Sequence, residues 1–305
     1  MFSALVMSAL LTASVGHAGD WGPGDRTHLL LSECRLRSYL VHIPPCYRRG
    51  CPMPVVVALH GLTANGRMLA RFSGLNEKAD RCGFIVVYPN GGLLAFNAGG
   101  VAARRGPDDV AFINRMLDEL SAHVCVDQCR VYATGLSNGG MMCYRLACEL
   151  SHRFAAIASV SGPMAILDCC PCHPVSVLHF HGTCDRELPY NGPRKGEKSL
   201  IQYHPVTETI AIWAARNGCT AEPMIEQMPD RCPDCTTVTR TTYGPGCCGA
   251  EVVLYTINGG GHTWPGREPP ARFMGLSTKD IVANDIMWEF FLQHPRCCLT
   301  PVATE

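Results

Sequence analysis

Short, mostly apolar runs recur along the chain, separated by segments with helical spacing. Val55–Leu59, Phe84–Tyr88, Arg130–Thr134, Ala155–Val160, Val175–Phe180 and Glu251–Ile257 lack the regular polar alternation of a half-solvated strand. Such runs suit strands covered on both faces of a parallel sheet. Leu75–Asp80, Asp109–Ala122, Asn138–Leu150, Thr207–Asn217 and Ile281–Gln293 read as helices. The clearest is the second: Asp108 stands at the N-cap, and Val110, Ile113, Met116, Leu117 and Leu120 form one apolar face. Gly218 stops the fourth. This alternation predicts an α/β fold with a mostly parallel, doubly wound sheet in a single domain. Its site should lie at the carboxyl ends of the strands.

The predicted domain spans 37–296, with a polar leader at 19–36 and a tail at 297–305. Within it, 219–249 is dense in turn residues and cysteine and reads as a surface excursion. Residues 1–18 carry an apolar stretch, Ala4–Leu11, then small residues ending at Ala18. That is the pattern of a secretory signal peptide, although no Lys or Arg precedes the apolar stretch, which is too short for a comfortable membrane span. The expectation is export to an extracellular or periplasmic space, with no membrane attachment after processing.

Cysteine usage fits that destination. There are 19 cysteines, an odd number, so at least one is free or pairs between chains. Cys232, Cys235, Cys247 and Cys248 could in principle close a tetrahedral zinc site. The adjacent Cys247-Cys248 pair lacks the usual ligand spacing, so loop-stapling disulfides are the expected use, with a connectivity that spacing does not fix. Lys plus Arg and Asp plus Glu each number 26, for a formal net charge of zero. No charge field is available to draw nucleic acid or an anionic membrane.

One segment carries chemistry directly. Gly135-Leu136-Ser137-Asn138-Gly139 sits between a strand-like run and a helix, the setting of a Gly-x-Ser-x-Gly nucleophile elbow. A serine hydroxyl needs a base, and the base an orienting carboxylate. Two later loops follow strands and supply them in order: Asp185 after Phe180, and His262 after Ile257. Asp168 also follows Ser137 but does not directly follow a strand, and it ranks below Asp185. His179 and His181 read as structural residues of the strand end. Backbone N–H groups of Asn138 and of Leu62 are the expected oxyanion hole, with Thr63 as the alternative to Leu62. Gly61–Arg67 lacks the Lys-Ser/Thr ending of a phosphate loop, which argues against nucleotide binding.

Five ordered motifs, Leu59-His60-Gly61, Tyr88-Pro89-Asn90-Gly91, Gly135–Met141, His181–Asp185 and Gly260–Gly266, together resemble the secreted polyhydroxybutyrate depolymerase/feruloyl esterase family of α/β-hydrolases. The resemblance covers Arg37 to Pro295 and implies a serine carboxylic-ester hydrolase with Ser137, Asp185 and His262 as triad. It implies an acyl-enzyme intermediate and no metal or organic cofactor. The substrate is then an ester, small or polymeric. A departure lies at 96–102, where similar proteins often carry Trp in place of Phe96 and cysteines in place of Val101-Ala102. Trp264 and Phe96 are expected at the rim of the site, as faces for flat or apolar acyl groups. Two other readings stay open: a prolyl-oligopeptidase-type serine peptidase, and a non-catalytic binding protein on the same fold.

Overall fold

The computed structural model describes residues 21–99, 106–166, 168–193 and 202–296. The signal-like segment, the tail and residues 100–102 of the departing loop lie outside them. Among the described residues ten strands form one sheet: β1 (Gly24–Ser32), β2 (Arg35–Ile43), β3 (Met53–Leu59), β4 (Ile85–Pro89), β5 (Val126–Leu136), β6 (Ala156–Val160), β7 (Ser176–Gly182), β8 (Met224–Gln227), β9 (Thr237–Tyr243) and β10 (Val252–Asn258). Their spatial order is β1-β2-β4-β3-β5-β6-β7-β10-β9-β8. The six from β4 to β10 in that order pair in parallel, and antiparallel strands flank them on both sides.

The apolar runs form the parallel centre because each strand is covered twice. In β3, Val55, Val57 and Leu59 face one core, while Val56 and Ala58 face the other. The first core receives α3 (Asp109–His123), α4 (Asn138–Glu149) and α5 (Val206–Arg216). The second receives α1 (Gly66–Ser73), α2 (Leu75–Cys82) and α6 (Ala283–Gln293). Asp108 accepts from the Ala111 N–H at 2.9 Å and caps α3 as its sequence position implies.

Two boundaries differ from the sequence reading. Half of the supposed leader is strand β1, which pairs along its whole length with β2. The excursion at 219–249 contains β8 and β9, which extend the sheet beyond β10. Both are edge regions whose outward residues face solvent, so neither shows the continuous apolar run that marks a central strand.

Candidate active site

Four parallel strands deliver the candidate residues to one end of the sheet. Leu62 follows β3, Ser137 follows β5, Asp185 follows β7 and His262 follows β10. Strand order reverses around β3, which lies between β4 and β5, and this opens a crevice at the strand ends.

Ser137 sits at φ 59° and ψ −120°, a strained conformation for a residue with a side chain. Its N–H is held by the Val160 carbonyl at 2.9 Å, and its carbonyl accepts the Met141 N–H of α4 at 2.9 Å. The turn closes only because neighbouring backbone comes very near. A Cβ on Gly139 would lie 2.1 Å from the Leu59 carbonyl oxygen, and one on Gly135 would lie 2.5 Å from Gly139. The serine thus caps the N-terminus of α4, where N–H groups lack intrahelical partners and the dipole favours negative charge.

His262 Nδ1 and Asp185 Oδ2 are 2.7 Å apart. A carboxylate only accepts, so Nδ1 carries hydrogen, and in the neutral ring Nε2 is then the nitrogen that accepts. The other carboxylate oxygen accepts the N–H groups of Glu187 and Leu188, each at 2.9 Å. Asp185 is therefore fixed from both sides. The His262 loop is pinned in turn: His262 N–H donates to the Met274 carbonyl at 2.7 Å, and Gly261 N–H to that of Leu276 at 2.9 Å.

Leu62, Ser137, Asn138 and His262 line one cavity of about 860 Å³. Its walls are largely apolar, from Met68, Phe72, Met141, Leu188, Phe273 and Met274. Thr63 is excluded as an oxyanion donor because its N–H is spent on the Leu94 carbonyl at 2.9 Å. Behind the Leu62 loop, His60 accepts the Gly91 N–H on Nε2 at 2.9 Å and so donates from Nδ1 to the Gly61 carbonyl at 2.8 Å. Burial lowers its pKa and keeps that ring neutral.

Both aromatic residues expected at the rim are elsewhere. Trp264 is fully buried, and its indole N–H donates to Asn284 at 2.9 Å, which anchors the His262 loop to α6. Phe96 is buried beside His60, and its backbone makes two hydrogen bonds with the Asn138 side chain, at 2.7 and 3.0 Å. Neither lines the cavity. Phe72 and Phe273 do, and nothing in sequence separated them from other loop and helix aromatics. Asp168 is exposed, in a segment that contributes nothing to the cavity lining.

The cysteine pattern is sparser in bonds than its count suggests. Cys148 is bonded to Cys169, and Cys129 is also disulfide-bonded. Among the described residues the other fourteen cysteines are thiols. Cys232–Cys235 precede β9 and Cys247-Cys248 follow it. A seven-residue strand stands between the pairs, roughly 20 Å at the rise of an antiparallel strand, so they cannot share one tetrahedral ion. No helix among the described residues is long and apolar enough to cross a membrane.

The model of the esterase PHB depolymerase family matches residues 37–167. A protein of Aspergillus clavatus named "Probable feruloyl esterase C" is 34% identical over 297 residues, 94% of this chain and 96% of that one. A protein of Nocardia uniformis subsp. tsuyamanensis that carries the esterase name NocK is 32% identical over 278 residues, 85% of this chain and 80% of its own. Among solved structures, an acetyl xylan esterase from Aspergillus awamori superposes with a TM-score of 0.57 at 17% identity, over 87% of this chain and 99% of that one. That likeness supports the α/β-hydrolase type of fold.

Proposed function

The chain belongs to the esterase PHB depolymerase family of carboxylic-ester hydrolases, and on that premise we propose that it acts as an exported serine esterase through Ser137, His262 and Asp185. The observation that carries the reading is the 2.7 Å contact of His262 with Asp185, in a cavity shared with a serine held at positive φ. His262 Nε2 takes the Ser137 proton as Oγ attacks the ester carbonyl. The oxyanion rests on the N–H groups of Asn138 and Leu62. His262 then protonates the leaving alcohol, and a water activated by the same nitrogen releases the acid. Asp185 stabilises the imidazolium formed in each step.

The apolar walls favour esters whose acyl part is aryl or short, in line with the feruloyl and acetyl xylan esterase names of the relatives. Export is supported by the signal-like sequence of residues 1–18 and by the Cys148–Cys169 bond. The test is Ser137→Ala with a fluorophosphonate probe and a panel of matched esters and amides. The variant should lose labelling and hydrolysis by several powers of ten while keeping its fold. Retained turnover would remove Ser137 from its role, and robust amide cleavage by the unaltered chain would replace the esterase by a peptidase.

A further inference from the structure

Behind Asp185 lies a line of buried polar groups that the mechanism leaves unused. The Tyr144 hydroxyl is 2.7 Å from His179 Nδ1. His179 Nε2 is 3.1 Å from His181 Nδ1, and His181 Nε2 is 2.8 Å from the Leu188 carbonyl. The same Nε2 is 3.4 Å from Asp185 Oδ2. The two rings, both on β7, lie parallel within 2°.

One proton arrangement satisfies every contact. A carbonyl only accepts, so His181 Nε2 carries hydrogen. With that ring neutral, its Nδ1 accepts, and His179 Nε2 must donate to it. His179 Nδ1 then accepts, which leaves the Tyr144 hydroxyl as donor. Both imidazoles are fully buried, and burial pushes the His181 pKa down to about 4 and that of His179 well below its ordinary value. Neutral rings are what the pattern requires. The N–H and O–H dipoles all point the same way, from Tyr144 toward the carboxylate, and aligned bonds of this kind reinforce one another.

We infer that Tyr144, His179 and His181 are positioning residues that hold Asp185, and the Leu188 wall of the cavity, in register with the nucleophile helix. Tyr144 belongs to α4, whose first turn begins at Ser137. Leu188 both closes the chain through its carbonyl and ties down Asp185 Oδ1 through its N–H. The line therefore couples the nucleophile's helix to the acid's loop across the sheet. The inference rests on the triad reading above.

The test compares His181→Leu, His181→Gln and Tyr144→Phe, each alone and combined with Asp185→Asn, with turnover normalised to folded protein. His181→Leu should lower kcat roughly ten- to a hundredfold, as expected for a slight misplacement of catalytic groups, with KM nearly unchanged. His181→Gln keeps a donor near the Leu188 carbonyl and should recover most of that loss. Tyr144→Phe should have the same sign and a smaller size. In the Asp185→Asn background the His181 losses should vanish, because the group through which they act is gone. Additive losses, or an unchanged kcat in His181→Leu while Asp185→Asn alone is crippled, would overturn this inference and leave the triad standing. An Asp185→Asn variant with full activity would overturn both.

Discussion

Asp185 and His262 are 77 residues apart in sequence and 2.7 Å apart in space, brought together because β7 and β10 are parallel neighbours. Their loops are also joined directly: Cys184 N–H donates to the Gly260 carbonyl at 2.9 Å, and Thr183 N–H to that of Ile257 at 2.9 Å. The sheet itself thus sets the distance between acid and base.

Asp185→Asn should consequently lower kcat/KM on a soluble aryl ester by on the order of 10⁴, since an amide no longer enforces the productive imidazole tautomer. Asp168→Asn should stay within about twofold of the unaltered enzyme, because Asp168 is exposed and does not line the cavity. Steady-state kinetics on the two variants decides between these carboxylates. The reverse pattern would move the acid to the segment after β6.

Trp264 and Phe273 should separate stability from substrate binding. Trp264→Ala opens a hole between α6 and the base loop and leaves Asn284 Oδ1 without its donor, at a cost of about 3–5 kcal/mol in unfolding free energy. Relative activity on aryl and acetyl esters should not change. Phe273 is largely exposed and lines the cavity. Phe273→Ala should leave the melting temperature nearly alone and raise KM for aryl esters more than for acetate. Denaturant melts alongside a two-ester assay check both halves.

Much of this was legible in sequence, and the failures share a cause. Val55–Leu59 and its counterparts announce central strands because burial on both faces demands apolar residues at every position. Ser137, Asp185 and His262 could be singled out because each lies in the turn or loop after such a strand. β1 could not, since Asp25, Arg26 and Thr27 are all exposed on an edge. α1 was hidden by its shortness and by a Gly at its start, although Asn65 caps it with a 3.0 Å bond to the Met68 N–H. Phe96 and Trp264 were misplaced because a loop aromatic carries no periodicity that separates inside from outside. What holds the Phe96 backbone in place is the Asn138 side chain, 42 residues away, and no local pattern records it.

The Cys148–Cys169 bond should be a stabilising tether. It ties the end of α4 to the segment after β6 across a sequence separation of 21. Loop-closure entropy predicts about 3 kcal/mol for a loop of that size. Cys148→Ser and Cys169→Ser should each lower unfolding free energy by about that amount, and the double variant should lose no more than either. Urea melts with and without reductant check this. Additive losses would mean that the thiols matter for packing and not for the bond.

The paired histidines should make the fold sensitive to mild acid. Burial dominates the His181 environment and opposes its protonation; of the groups it faces, Asp185 and the Leu188 carbonyl favour protonation, His262 opposes it, and His179 meets its Nδ1. In the unfolded chain His181 takes up a proton below about pH 6.5, whereas in the folded protein it does so only near pH 4. The unfolded state therefore binds more protons in that window, and stability falls as pH drops through it. For His181 alone the loss between pH 7 and pH 4 amounts to about 3 kcal/mol. His179, with its pKa also depressed by burial, adds in the same direction. His181→Gln removes one titrating ring, so unfolding free energies measured in urea at pH 7, 5.5 and 4 should fall less steeply for the variant than for the unaltered chain. Parallel slopes would mean that this ring is already charged, or already solvated, in the folded protein.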